Sequence, residues 1–124
     1  MLNKPNINEL CPGELTDYVL ELVKRDLKNI PSDHRCRRKD LAEAILSCNK
    51  ETGNRQEIRE ALGKEVLNWS PSSGSHLTRY GIATIKGRTH YKIKWGAYCV
   101  SIAASPSDRR SLINTRSDAE HTFF

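Results

Sequence analysis

The chain has 124 residues, 37% of them hydrophobic and 28% charged, with a formal net charge of +5; that is enough apolar material for one compact core or two small subdomains. No stretch approaches the roughly 18 uninterrupted apolar residues of a membrane span, and Met1 to Asn6 lacks the apolar core of a signal peptide, so a soluble, cytoplasmic protein without a membrane partner is expected. Cys11, Cys36, Cys48 and Cys99 show no Cys-x-x-Cys spacing, which fits reduced, mostly structural thiols better than a disulfide framework.

Pro12 stands where a first helix would begin, and Leu15, Tyr18, Val19, Leu22, Val23 and Ile30 follow at helical spacing, with acids early and Lys24, Arg25 and Lys28 late. Pro31-Ser32-Asp33 stops that helix and supplies a cap for a second, whose apolar residues are Leu41, Ala42, Ile45, Leu46 and Cys48. After a turn at Gly53, a third helix runs from about Asn54 to Trp69 with Ile58, Ala61, Leu62, Val66 and Trp69 on one side. Ser70-Pro71-Ser72-Ser73-Gly74-Ser75 reads as a linker or exposed loop. Alternation of period two then takes over: Ile82 to Ile85, Thr89 to Trp95, and Tyr98 to Ile102 are three strands joined by short turns, hence an antiparallel meander. Pro106-Ser107-Asp108 precedes a final helix with Leu112, Ala119 and Phe123 as core contacts. The expected class is α+β, with a helical extension over residues 1–53 and an α-β-β-β-α domain over 54–124, the third and final helices covering the sheet.

Charge is distributed unevenly over this plan. Residues 1–70 hold twelve Lys/Arg and twelve Asp/Glu, whereas residues 71–124 hold eight Lys/Arg against Asp108, Asp118 and Glu120, so the whole excess of +5 is C-terminal. A basic half points to an anionic partner, most economically nucleic acid. Within it, Tyr91, Ile93 and Trp95 face one side of the second strand, and His90, Lys92 and Lys94 the other. His90 is the candidate catalytic residue, a proton-exchanging imidazole beside cations that hold phosphate. Arg88, Lys92 and Lys94 are the candidate phosphate contacts, and Arg109 and Arg110 at the start of the last helix are the outer ones. The phrase Pro-Ser-Asp-x-Arg occurs at residues 31–35 and 106–110; the first copy reads as plain capping, the second as a phosphate site.

Other sites are less well signalled. Arg35 to Lys39 is interrupted by nearby acids and reads as a solvated face. The second and third helices around Gly53 also read as a helix-turn-helix, with Asn54, Arg55, Gln56 and Arg59 opening a recognition helix for DNA, although Glu57 and Glu60 would repel a duplex. His34 and Cys36 are the only closely spaced metal ligands, so no metal is expected, and no P-loop or dinucleotide fingerprint calls for a cofactor.

From the third helix onward, the element order with a glycine turn leading into a histidine on a basic strand resembles the HicA-type toxins, mRNA-cleaving proteins with a double-stranded-RNA-binding-like fold. That family's histidine closely follows a glycine, commonly as Gly-Ser-His. Gly74-Ser75-His76 matches literally but lies in the Ser/Pro-rich connection; Gly87-Arg88-Thr89-His90 has an extra residue but lies on the strand and is preferred. The resemblance implies RNA as the partner, favoured over DNA, and metal-independent endoribonuclease activity of a toxin–antitoxin kind. Residues 1–53 have no counterpart in that family, and they support a different reading: a non-enzymatic interaction module, either a small subunit of an assembly or an inhibitor of a nucleic-acid-binding partner, docked through its N-terminal helices.

Overall fold

The computed structural model describes residues 7–103 and 109–124. In chain order they form α1 (Glu14–Lys28), α2 (Arg37–Cys48), α3 (Asn54–Leu67), α4 (Ser73–Thr78), β1 (Ala83–Lys86), β2 (His90–Trp95), β3 (Tyr98–Ala103) and α5 (Arg109–Phe123). The protein is α+β: helices, then an antiparallel sheet in the order β1-β2-β3, then a closing helix. Two compact units divide the chain, Met1–Arg55 and Gln56–Phe124. No helix among the described residues is long and apolar enough to cross a membrane.

In the first unit, α1 packs against α2. Pro12 lies ahead of the helix rather than at its first position. Gly13 is the N-cap, left-handed at φ 77, a conformation glycine adopts without steric cost. A Cβ there would also lie 2.4 Å from the Thr52 methyl, so glycine is required twice over. The turn of α1 that faces inward carries Leu20, 2% exposed, and Asp17, 1% exposed. Tyr18, Val19 and Leu22, read from sequence as part of a core stripe, instead face solvent, and α2 buries only Ala42. Ser32 and Asp33 do not cap α2, because the helix begins at Arg37 behind an extended Cys36 with no side-chain cap bond. The turn at Ser32 is tied to α2 differently: its carbonyl accepts a bond from Lys39 Nζ at 2.6 Å.

In the second unit, α3 buries Ile58, Leu62 and Val66. Gly63 lets Arg116 of α5 approach, with Cδ only 3.4 Å from where a Cβ would stand. The Ser70–Ser75 stretch is not a linker. It turns into α4, with Ser73 and Leu77 fully buried, and the Ser73 hydroxyl accepts the Ser70 amide at 2.9 Å. Serine side chains that bond local backbone make such turns without Pro or Gly signalling a break. The helix packs on β1, where Gly74 admits the Thr84 side chain.

The sheet follows the alternation of its sequence. Ile93 and Trp95 are buried, with Val100 and Ile102 beside them on β3, and α5 lies along β3. Trp95 meets Phe123 edge-on at 6.2 Å and Phe124 at 5.2 Å. Trp69, just past α3, meets Tyr91 edge-on at 5.5 Å. Offset and edge-on aromatic contacts add to plain area burial, so the inner face of β2 is held at both ends by rings.

Candidate nucleic-acid interface

The β1–β2 turn is set by Gly87, whose amide donates to the His90 carbonyl at 2.8 Å. An added Cβ would stand 2.6 Å from that same oxygen, so only glycine closes the turn this tightly. Arg88 and Thr89 form its tip, and both are exposed. His90 then opens β2 on the outer face, with its Nδ1 2.9 Å from the Thr89 hydroxyl.

Register completes the surface. Lys92 lies between Ile85 of β1 and Ser101 of β3, and Lys94 between Ala83 and Cys99. His90, Lys92 and Lys94 are all exposed, while Tyr91 is half-buried and Ile93 and Trp95 are buried. The three strands contain no Asp or Glu, and no ion pair among the described residues engages Arg88, Lys92 or Lys94. Two ammonium groups and an imidazole on a strand, flanked in register by the uncharged Ala83, Ile85, Cys99, Ser101 and Ala103, form a patch of one sign, which attracts anions. No Tyr, Trp or Phe of the strands shares this outer face with the His90 imidazole: Tyr91 and Trp95 lie on the opposite face of β2, and Tyr98 pairs in register with Trp95.

Arg109 and Arg110 are exposed at the start of α5. The Pro106-Ser107-Asp108 phrase that was to build a phosphate site with them lies outside the described residues. Arg55 is not available to a duplex. It is 4% exposed, its guanidinium pairs with Glu21 and lies 5.2 Å from the Tyr18 ring centroid. Gln56 and Arg59 bond along α3 instead, Gln56 to Glu60 at 3.0 Å and Arg59 to Gln56 at 3.3 Å. Arg38 in the basic run pairs with Asp26 at 3.4 Å, as a solvated helical face would.

His76 gains a partner that sequence reading missed. Its Nδ1 donates to Glu65 Oε1 at 3.0 Å, at the side of a cavity of ≈ 280 Å³ also lined by Lys64, Arg79 and Tyr80. The Arg79 guanidinium lies 5.1 Å from the Tyr80 ring centroid. A carboxylate on Nδ1 fixes the tautomer and leaves Nε2 for proton exchange. The signal was hidden because α4 was not foreseen: only a helix there turns His76 back onto α3.

Among the described residues no group of three His, Cys, Asp or Glu comes together as a metal site would require. The four thiols are unpaired; Cys48 and Cys99 are exposed and Cys11 is buried. No family model, curated protein or solved structure matches this chain.

Proposed function

We propose that the outer face of the β1–β2–β3 sheet binds RNA through its phosphates, in a cytoplasmic protein of HicA-like type. The observation that carries this reading is the acid-free outer face of β2, where His90, Lys92 and Lys94 stand in solvent and, among the described residues, Lys92 and Lys94 enter no ion pair. Arg88 at the hairpin tip extends the patch, with Arg109 and Arg110 as outer contacts. RNA is preferred to duplex DNA because the cations lie on a sheet and a turn, while the helix that would have to enter a major groove has its arginine buried against Glu21. With the His90 imidazole as the one strand ring on the outer face among the described residues, base stacking contributes little, and binding is of the phosphate-led, salt-sensitive, sequence-tolerant kind.

A second reading is favoured by one further observation. If RNA is cleaved, His76 is the better-built proton-transfer group, since its ring bonds a carboxylate whereas the ring of His90 bonds a hydroxyl.

Fluorescence anisotropy with single- and double-stranded RNA and matched DNA tests the first reading. The wild type is expected to bind RNA at low salt, and Lys92→Glu/Lys94→Glu to lose at least about tenfold in affinity. Absence of RNA binding by the wild type at low salt overturns it. Parallel gel assays with His76→Ala and His90→Ala then separate binding from cleavage.

A further inference from the structure

The first unit leaves apolar surface uncovered. Tyr18, Val19 and Leu22 on α1 and Leu41 and Ile45 on α2 are each 39% to 50% exposed. Leu22, Leu41 and Ile45 share one open groove of ≈ 300 Å³, with the Asp26–Arg38 ion pair among its lining residues. Scattered apolar residues on a surface need no explanation, but contiguous ones at helical spacing mark an interface.

We propose that a second copy of this chain covers this face, the two α1 helices lying antiparallel about a twofold axis. The distribution of charge selects that occupant. With Asp17 buried, the first turn of α1 presents Glu14, one of whose oxygens accepts the Leu10 amide at 2.9 Å, and the last turn is basic, with Arg25 and Lys28. Glu14 and Arg25 are eleven residues apart, about three full turns, so both lie on one flank of the Tyr18–Leu22 stripe. When Tyr18 of one copy lies over Leu22 of the other, Glu14 comes almost level with Arg25 of the second copy. The twofold axis forms that ion pair twice, as a self-complementary interface must. A parallel pair would instead set Glu14 against Glu14 and Arg25 against Arg25. Arg25 enters no ion pair among the described residues, and Leu41 and Ile45 of α2 continue the apolar surface, so that each copy contributes a helix pair to a four-helix contact.

Sedimentation and light scattering on the full chain from micromolar to submillimolar concentration test this. The wild type is expected to reach twice its 14.1 kDa mass, and Leu22→Glu to stay monomeric with an unchanged circular-dichroism spectrum. Glu14→Arg and Arg25→Glu are each expected to dimerise about tenfold more weakly. Mixed together they should form a heterodimer, because each then supplies what the other lacks, and the double variant Glu14→Arg/Arg25→Glu should recover self-association. A wild type that stays monomeric throughout overturns the proposal, as does a dimer indifferent to Leu22→Glu. A dimer that Leu22→Glu breaks, but in which the two charge variants fail to complement, overturns the antiparallel arrangement. These charge variants also provide a fold-independent control, since both outcomes are read on mixtures of the same two proteins.

Discussion

The Thr52 hydroxyl donates to the Asp17 carboxylate at 2.6 Å across 35 positions of sequence, while the Thr52 amide reaches the other oxygen at 2.8 Å. Asp17 is buried on α1, and the residues it holds, Thr52 and the Arg55 amide at 3.4 Å, lead into α3. One carboxylate therefore satisfies amides at a helix start that would otherwise have no partner.

That relationship has a pH signature. Burial pushes the Asp17 carboxyl upward, but the hydrogen bonds from the Thr52 hydroxyl and from the Thr52, Arg55 and Gly53 amides outweigh it and hold the group below its ordinary value of 3.8. A carboxyl with a lowered folded value stabilises the fold fully above the unfolded value, and that stability is lost as pH falls through the folded one. Asp17→Asn is expected to cost about 2 kcal/mol at neutral pH and to flatten the loss of stability below about pH 4. Urea unfolding at a series of pH values checks both; a variant whose stability falls with acid as steeply as the wild type would contradict the assignment.

Gly87 offers a test of how the outer face is positioned. Because a Cβ would stand 2.6 Å from the His90 carbonyl, Gly87→Ala must open the hairpin or shift β2, at a cost of about 1 to 3 kcal/mol. Melting should fall by several degrees, and RNA affinity should fall with it, since Arg88 and His90 flank the displaced bond. Gly53→Ala is the contrasting case: its Cβ would meet no atom within 4 Å, although its φ of 84 imposes strain of its own.

Much of the second unit was legible because its signals are local. Strict alternation in His90–Trp95 assigns a face to every side chain, and Ile58, Leu62 and Val66 mark the buried side of α3 by spacing alone. What was not legible depends on contacts distant in sequence or on polar chemistry. Arg55 looked like a recognition-helix cation until Glu21 and the Tyr18 ring were brought to it. Asp17 reads in sequence only as one of the early acids of the first helix, although it is the most deeply buried charged side chain of α1. The Tyr18–Leu22 stripe illustrates a different gap: periodicity identifies an apolar face but not whether the same chain covers it. His76 was placed in a loop because a serine-rich run resembles a linker, whereas here the Ser73 and Ser75 hydroxyls bond local backbone around the start of a short helix.

The cysteines divide by burial. Burial first, then the negative charge of Glu14, Asp17 and Glu9, pushes the Cys11 thiol up to about 11, so the reactive thiolate is scarce at neutral pH. Cys99 is exposed on the outer sheet face directly across from Lys94. Under limiting iodoacetamide, peptide mass spectrometry should show Cys48 and Cys99 modified well before Cys11. Modification of Cys99 in a Cys48→Ser background should weaken RNA binding severalfold, since the adduct crowds Lys94. Binding unaffected by complete Cys99 modification would move the contact surface away from the middle of the sheet.

Adjacent residues of β2 should separate stability from binding. Trp95 is 1% exposed and packed against Phe123 and Phe124, so Trp95→Ala removes a large ring from a core that cannot close the gap, at about 3 to 5 kcal/mol. Lys94 beside it is exposed and unpaired among the described residues, so Lys94→Ala should change stability by no more than about 0.5 kcal/mol. The order should reverse for RNA: Lys94→Ala lowers the slope of log affinity against log salt by about 0.7 for a single strand, while the folded fraction of Trp95→Ala keeps the wild-type slope. The contrast follows from the pleat alone, because consecutive side chains on a strand leave on opposite faces. Thermal melts and salt titrations on the two variants decide it; a Lys94→Ala protein with lowered stability and unchanged slope would mean that this lysine supports the fold rather than the ligand.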